Sequence, residues 1–172
     1  ADHRQQQLRR IWPTHQRWPR DCGRRYALGF ACAEYLVSRP FKNWQEPNTA
    51  ALRDFLPVLR SRSYASDKVL ELIADPDSVL FLRTGFGHGI HTALGRIKGR
   101  AVGFMINNPL HLGGAIDPDA ADKAARFMQL CNAHQLPIIS LIDTPGFMVG
   151  PDVEARAQVR HTSRMFISAA HL

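Results

Sequence analysis

The sequence predicts an α/β domain, on three observations. Short strand-like runs, SVLFL, TALGRI and AVGFMI, begin at Ser78. A helical stretch with one apolar face separates the last of them from a further apolar run, PIISLID. A glycine-bearing turn follows each of the two runs that flank this helix, at residues 112–115 and 143–146. Strand, helix and strand in this length make a βαβ unit, with a parallel pair and a right-handed crossover.

Taken in order, residues 26–37, YALGFACAEYLV, are apolar on most sides and predict a short buried helix. Arg39-Pro40 and Glu46-Pro47 break the next segment, because the residue before a proline leaves the helical region. Asn48 is placed as the cap of the next helix. Residues 48–60 carry Ala51, Leu52, Phe55, Leu56 and Leu59 at helical spacing, and Pro57 kinks or ends that helix. Residues 66–74 repeat the pattern with Val69, Leu70, Leu72 and Ile73, and Asp75-Pro76-Asp77 reads as a turn. Lys98-Gly99 suits a tight hairpin between Ile97 and Ala101. AVGFMI and PIISLID have little polar content and predict strands buried on both faces. Asp117-Pro118 marks a helix start, with Asp as cap and Pro at the first helical position. Ala120, Ala124, Phe127, Cys131 and His134 share one face of it, and residues 135–137 end it. Residues 153–170 predict a last helix, whose Met165, Phe166 and Ile167 need a partner, so an oligomer or poor solubility is expected.

With 172 residues, 45% of them hydrophobic, the chain has material for one domain with a core. No apolar run approaches the ~18 residues that span a bilayer, and no secretory signal is visible at Ala1. Cys22, Cys32 and Cys131 are scattered and odd in number, which argues for a reducing compartment and against a disulfide frame or zinc site. A soluble, cytoplasmic protein is expected. The missing initial Met and a helix that runs to the last residue suggest a piece of a longer protein. The formal net charge is +7, with much of the excess before Arg25 beside Trp12 and Trp18. An exposed lead-in explains that stretch better than a nucleic-acid arm, since no nucleic-acid motif accompanies it.

Asp143 and Gly146 have the D-x-x-G spacing of GTPases. The phosphate loop that must accompany it, GxxxxGK[ST], is absent: none of Lys42, Lys68, Lys98 and Lys123 stands in that pattern. The two glycine turns instead come after neighbouring parallel strands at one end of the sheet, where ligands collect. Glycine lets backbone approach a ligand, and N–H groups at such bends can face a developing oxyanion. Ordinary strand-to-helix turns are the alternative.

Other candidates carry plainer readings. His88 and His91 have HxxH spacing, but Gly89 disfavours the helix a zinc pair needs. His111 is a structural hydrogen-bonding residue or a ligand contact. Asp143 is a general base or, by preference, an acceptor for the turn just after it. Asn107 and Asn108 fix loop backbone in the same way. Arg156, Arg160 and Arg164 recur every four residues and mark a solvated or subunit-interface face, with the phosphates of a ligand on a partner subunit the alternative.

From about residue 64 onward the chain resembles the carboxyltransferase component of biotin-dependent acyl-CoA carboxylases. The matching runs are RTGFGHGIHTALGRIKGRAVGFMINNPLHLGGAIDPDAADKAARFMQLCNAHQLPIISLIDTPGFMVGPDVE and VRHTSRMFISAA. DTPGFMVGP and VRHTSRMF look most like the branch with all modules on one long chain, including long-chain acyl-CoA carboxylases.

The resemblance implies an incomplete crotonase-like (ClpP/crotonase) ββα-repeat fold. It implies that residues 48–172 form the first part of a carboxyltransferase C-domain, with 1–47 an unassigned basic lead-in. It implies transfer of a carboxyl group from carboxybiotin to the α-carbon of an acyl-CoA. The cofactor implied is biotin on a carrier protein, with a CoA thioester as substrate and no metal. Implied partners are acyl-CoA, the biotin carboxyl carrier and biotin carboxylase modules, and further copies of the chain. Charge develops on oxygens that backbone N–H groups can stabilise, so glycine loops carry the site. On that basis Gly113, Gly114, Ala115, Gly146 and Phe147 are the expected catalytic-loop residues, acting as donors or as the cleft wall. Pro145, His111 and Asn108 are the expected substrate contacts. Another crotonase-superfamily acyl-CoA enzyme (hydratase, isomerase or hydrolase) and a non-catalytic assembly module are the alternatives.

Overall fold

The computed structural model describes residues 44–55, 57 and 63–172. The basic stretch with Trp12 and Trp18, the helix predicted over residues 26–37, Cys22 and Cys32 lie outside the described residues. The helix expected from Asn48 begins only as a 3-10 helix, Thr49–Arg53. Asn48 makes no side-chain cap, and none of the five helical residues is buried, so no apolar face anchors an α-helix there.

Helix α1, Ser66–Ile73, forms as the periodicity predicts, with Asp67 in its first turn and Leu70 fully buried. Asp75 comes just after it and ties helix to sheet. Its N–H donates to the Arg96 carbonyl at 2.8 Å, and its carboxylate accepts the Lys98 and Gly99 amides at 2.8 and 2.7 Å. Those two residues have φ of 51° and 74°, the pair of positive values a two-residue hairpin turn requires.

The sheet has four strands in sequence order: β1 Leu80–Leu82, β2 Ile90–Ile97, β3 Arg100–Asn107 and β4 Ile138–Leu141. β1, β2 and β3 are antiparallel neighbours, and β4 joins β3 in parallel, with Phe104 opposite Ile139 and Ile106 opposite Leu141. β1 is shorter than the SVLFL run, while β2 begins upstream of TALGRI.

Alternation along β3 sorts its side chains between two layers. Val102, Phe104 and Ile106 pack with Leu70 of α1 and with Ala74 just after it. Gly103 faces the other way, where a Cβ would stand 2.6 Å from Cys131 Sγ of α2. α2, Pro118–Ala133, is the crossover helix of the βαβ unit. Its cap is as predicted: Asp117 Oδ1 accepts the Ala120 N–H at 2.8 Å, with Pro118 in the first turn. Ala120, Ala121, Ala124 and Met128 pack with Ile90 and Ile116, and small side chains there let helix and sheet approach closely.

Two expectations are corrected. β4 is not buried on both faces: Ser140 is exposed, and Ile142 just beyond is 77% exposed, because β4 has a partner on one side only among the described residues. The last helix is two helices, α3 Pro151–Ala155 and α4 Gln158–Ala169. Ala157 between them has φ 59°, and the break turns the buried Gln158 amide onto the Ile116 carbonyl at 2.9 Å. Arg156 therefore caps α3, while Arg160 and Arg164 stand on α4. It pairs with Asp119 at 2.9 Å, and Arg164 pairs with Asp122 at 3.3 Å, so both bind within the chain where α4 lies over α2. Phe166 and Ile167 remain 60% exposed, whereas Met165 packs inward.

Candidate active site

β3 and β4 run parallel, so the chain leaves both at the same edge of the sheet. The loops beyond them meet. Ile116 and Phe147 form a parallel bridge, in which the Ile116 N–H donates to the Gly146 carbonyl and the Met148 N–H to the Ile116 carbonyl, both at 2.9 Å. Gly114 makes the contact possible. Its φ is 86°, and a Cβ on it would stand 2.5 Å from the Asp143 carbonyl oxygen.

Two asparagines hold the arrangement, as their position at the strand end predicts. Asn107 Oδ1 accepts the Asp143 N–H at 3.3 Å, and its Nδ2 reaches the Gly114 carbonyl at 3.5 Å, so one side chain spans both loops. Asn108 donates through Nδ2 to the His88 carbonyl at 2.9 Å and accepts the Leu110 N–H at 3.2 Å. Its N–H donates to the Gly89 carbonyl at 2.9 Å.

That last contact brings in a third loop, residues 83–89, which sequence patterning treats only as a spacer between strands. It reaches the site because Ile90, at the start of β2, pairs with Asn107, at the end of β3. The 2% exposed Lys123 supports it from α2, its Nζ donating to the Gly87 carbonyl at 3.3 Å. Burial, with the charge of Arg83 added, brings the Lys123 ammonium down to about 8. Lys123 comes after an Asp in an alanine-rich helix, a pattern that suggests a solvated face; no sequence signal marks its burial.

The turn after β4 is closed by Thr144, not by Asp143 as expected. The Gly146 N–H donates to Thr144 Oγ1 at 3.0 Å, and the hydroxyl donates to the Gly146 carbonyl at 3.1 Å. The short β-hydroxyl reaches its own turn; the Asp143 carboxylate instead accepts the Tyr64 hydroxyl at 2.7 Å. Burial, reinforced by that hydrogen bond and the carboxylate charge, pushes the Tyr64 phenol up to about 12.

The expected loop residues divide by where their N–H groups go. Gly114 donates to the His111 carbonyl at 2.9 Å, and Ala115 to the Leu112 carbonyl at 3.1 Å. Gly146 is committed to Thr144, and Pro145 has no N–H. Gly113 and Phe147 keep theirs without an acceptor among the described residues. At Phe147 the bridge is the cause, since Ile116 is bonded through the residues on either side and the Phe147 N–H faces away from it. His111 stands beside these loops, half-buried, with its Nε2 3.9 Å from Asp117 Oδ2 and its ring 5.9 Å from that of His88. Among the described residues no group of three or more His, Cys, Asp and Glu stands together as a metal site. Residues 112–115 and 144–147 contain no Lys or Arg, so the donors they offer are neutral backbone N–H groups.

Residues 32–171 match the carboxyl transferase domain. The chain is 36% identical over 127 residues to an uncharacterized carboxylase, YngE, of Bacillus subtilis (strain 168), covering 74% of this chain and 24% of that protein. It is 35% identical over 119 residues to the methylmalonyl-CoA carboxyltransferase 12S subunit of Propionibacterium freudenreichii subsp. shermanii, covering 69% and 22%. A single-chain, multi-domain long-chain acyl-CoA carboxylase superposes with a TM-score of 0.81 at 46% identity, over 85% of this chain and 15% of that one. The beta subunit of P. aeruginosa geranyl-CoA carboxylase superposes with a TM-score of 0.68 at 30% identity, over 86% and 28%. The chain thus spans about a quarter of the length of the curated relatives it matches. The mixed α/β sheet, the meeting of its two glycine loops and these likenesses agree on a crotonase-like fold, and the chain belongs to the carboxyl transferase domain family.

Proposed function

We propose that this chain forms one wall of the active cleft of a biotin-dependent acyl-CoA carboxyltransferase, which moves a carboxyl group from carboxybiotin to the α-carbon of an acyl-CoA. The observation that carries it is the pair of unspent backbone donors, Gly113 and Phe147, on two loops locked together at the ends of parallel strands. Those loops fit an oxygen that gains charge as the reaction proceeds, since fixed N–H dipoles need no reorganisation to stabilise it. Carboxybiotin, when bound, supplies the carboxyl group.

The chain's residues then act as a surface. The Gly113 and Phe147 N–H groups, one on each loop, are the free donors that can stabilise charge on a reacting oxygen. Gly114, Ala115, Pro145 and Gly146 shape the wall, and Asn108 and His111 set its rim on the side of residues 83–89. Residues 48–172 serve as the first part of the C-terminal carboxyltransferase half, with residues 1–47 leading into it. Acyl-CoA, a biotin carrier with its carboxylase module, and further copies of the chain are its partners. The similar transcarboxylase 12S structure supports the acyl-CoA and the further copies among these, being a hexamer assembly with methylmalonyl-CoA bound.

The test is the reverse reaction on the polypeptide that carries this sequence. Malonyl-CoA and free biocytin are supplied, and biocytin-dependent loss of malonyl-CoA is monitored. Loss that requires biocytin is the expected result. No loss with malonyl-CoA or methylmalonyl-CoA, while CoA still binds, would remove the catalytic reading and leave an assembly module.

A further inference from the structure

Tyr64 lies ahead of α1, 79 residues from Asp143 in sequence, yet its hydroxyl donates to Asp143 Oδ2 at 2.7 Å. Its ring stands edge-on to Phe55, with centroids 6.0 Å apart at 89°. Asp143 is restrained at three points. The carboxylate takes Tyr64, the N–H donates to Asn107 Oδ1 at 3.3 Å, and the carbonyl oxygen lies against Gly114. The next residue, Thr144, closes the turn on Gly146, whose carbonyl receives the Ile116 N–H. The turn is thus held at both ends: at its start through Asp143, and around Phe147 by the two 2.9 Å bonds that Gly146 and Met148 make with Ile116. Of the three restraints, the bond to Asn107 is long and the Gly114 contact is only steric; the Tyr64 bond is the shortest and has a charged acceptor.

We infer that Tyr64 is a positioning residue for the cleft: through the Asp143 carboxylate it fixes the start of the 143–147 turn, which the Ile116 bridge fixes at its other end, and so sets with it the direction of the Phe147 N–H. This rests on the proposed role of Phe147. Tyr64 itself does not touch substrate in this scheme. Its phenol stays protonated, and so remains a donor, throughout any ordinary working pH.

The test pairs two readouts on Tyr64→Phe, which keeps the ring against Phe55, with Asp143→Ala, Asp143→Asn and the double variant Tyr64→Phe/Asp143→Ala. Amide hydrogen exchange of the peptide covering residues 143–148 reports the turn. The biocytin-dependent reaction reports the cleft. Y64F and D143A should each speed exchange of that peptide and lower kcat about tenfold, with KM for the acyl-CoA unchanged. D143N, whose amide oxygen still accepts, should recover most of the turnover lost in D143A. The double variant should be no worse than either single one, since both break the same bond.

Unchanged exchange in Y64F would overturn the inference. So would faster exchange with undiminished kcat, or losses that multiply in the double variant. A melting curve separates these from unfolding, and D143A, which leaves the Tyr64 ring in place, serves if Y64F does not fold. An inactive unsubstituted protein would count against the carboxyltransferase reading alone, and exchange would then decide the hold of Tyr64 on the turn.

Discussion

β3 and β4 are nearly the same strand in sequence and different strands in the molecule. AVGFMI and PIISLI are both apolar and lie side by side in parallel register. In β3, Phe104 is 0% and Ile106 3% exposed, with α1 on one face and α2 on the other. In β4 no residue is fully buried, and Ile142 at its end is 77% exposed. Composition thus states that a strand is to be covered, but not by which element. The site lies where the two strands end together, so it is built half on a closed region and half on an open one.

The largest effect that can break this comparison is a pair of truncations at one register position. Phe104 and Ile139 are opposite each other. Phe104→Ala should cost about 3–5 kcal/mol, because the cavity forms among fully buried neighbours. Ile139→Ala should cost about 1–2 kcal/mol, since part of its surface is already in water and only the buried part of the transfer energy is lost. Urea midpoints at constant m-value measure both. Equal losses would mean that β4 is as closed as β3.

Legibility in the sequence tracks the range over which each signal acts. The Asp117-Pro118 start, the Lys98-Gly99 hairpin and the βαβ order were readable because a cap, a two-residue turn and an apolar period are local. The fixing of loop backbone by Asn107 and Asn108 was readable from their place at a strand end. Long-range pairings were not. Asp75 holding the hairpin, Tyr64 holding Asp143 and Lys123 holding residues 83–89 join positions 23 to 79 apart. The break at Ala157 was hidden because its cause, the buried Gln158 amide on Ile116, lies 42 residues away. For the site, the two loops were legible as glycine turns after strands. Which N–H groups stay unspent was not, because that depends on Thr144 Oγ1 and the bridge to Ile116.

The next largest effect concerns charge on the closed side. Lys123 is depressed to about 8 by burial, then by Arg83. Its folded value lies below the unfolded one, near 10.5, so between those values the unfolded chain holds a proton that the folded chain has lost. Stability therefore rises with pH across that window, and the cost of the buried charge is fully present below pH 8. Lys123→Met keeps the stem packed against Gly87 and removes the charge. It should stabilise the chain by on the order of 2 kcal/mol at pH 7, with the advantage fading toward pH 10.5. Melting curves at several pH values decide it. A destabilised variant at pH 7 would show that the bond to the Gly87 carbonyl outweighs the burial.

A smaller effect is expected on the outer face of α2. Burial alone would raise the Asp122 carboxyl, but hydrogen bonds and charges from His161 and Arg164 outweigh it and hold it below its usual value. A depressed carboxylate contributes stability above its unfolded pKa, near 3.8, and loses it as pH falls through the folded one. Asp122→Asn should cost about 0.5–1 kcal/mol at pH 6, a gap that closes below pH 4. A gap that persisted there would mean that shape, not charge, joins α4 to α2.

The smallest effect is the one that most sharpens the difference between the two strands. Ile142, just beyond β4, is 77% exposed. A side chain already in water gains little from folding, so Ile142→Ser should change stability by less than about 0.5 kcal/mol. The measurement is the urea midpoint of the chain at two concentrations a hundredfold apart. If the midpoint of the unsubstituted chain rises with concentration and that of I142S does not, a second copy covers this side in solution, because only association makes stability depend on concentration. β4 would then be closed by a neighbour as β3 is closed by its own helices. If neither midpoint moves and the substitution is neutral, the open side of β4 is open in the free chain, and the half of the site built on it is held in place from within, by Thr144, Asn107 and Tyr64.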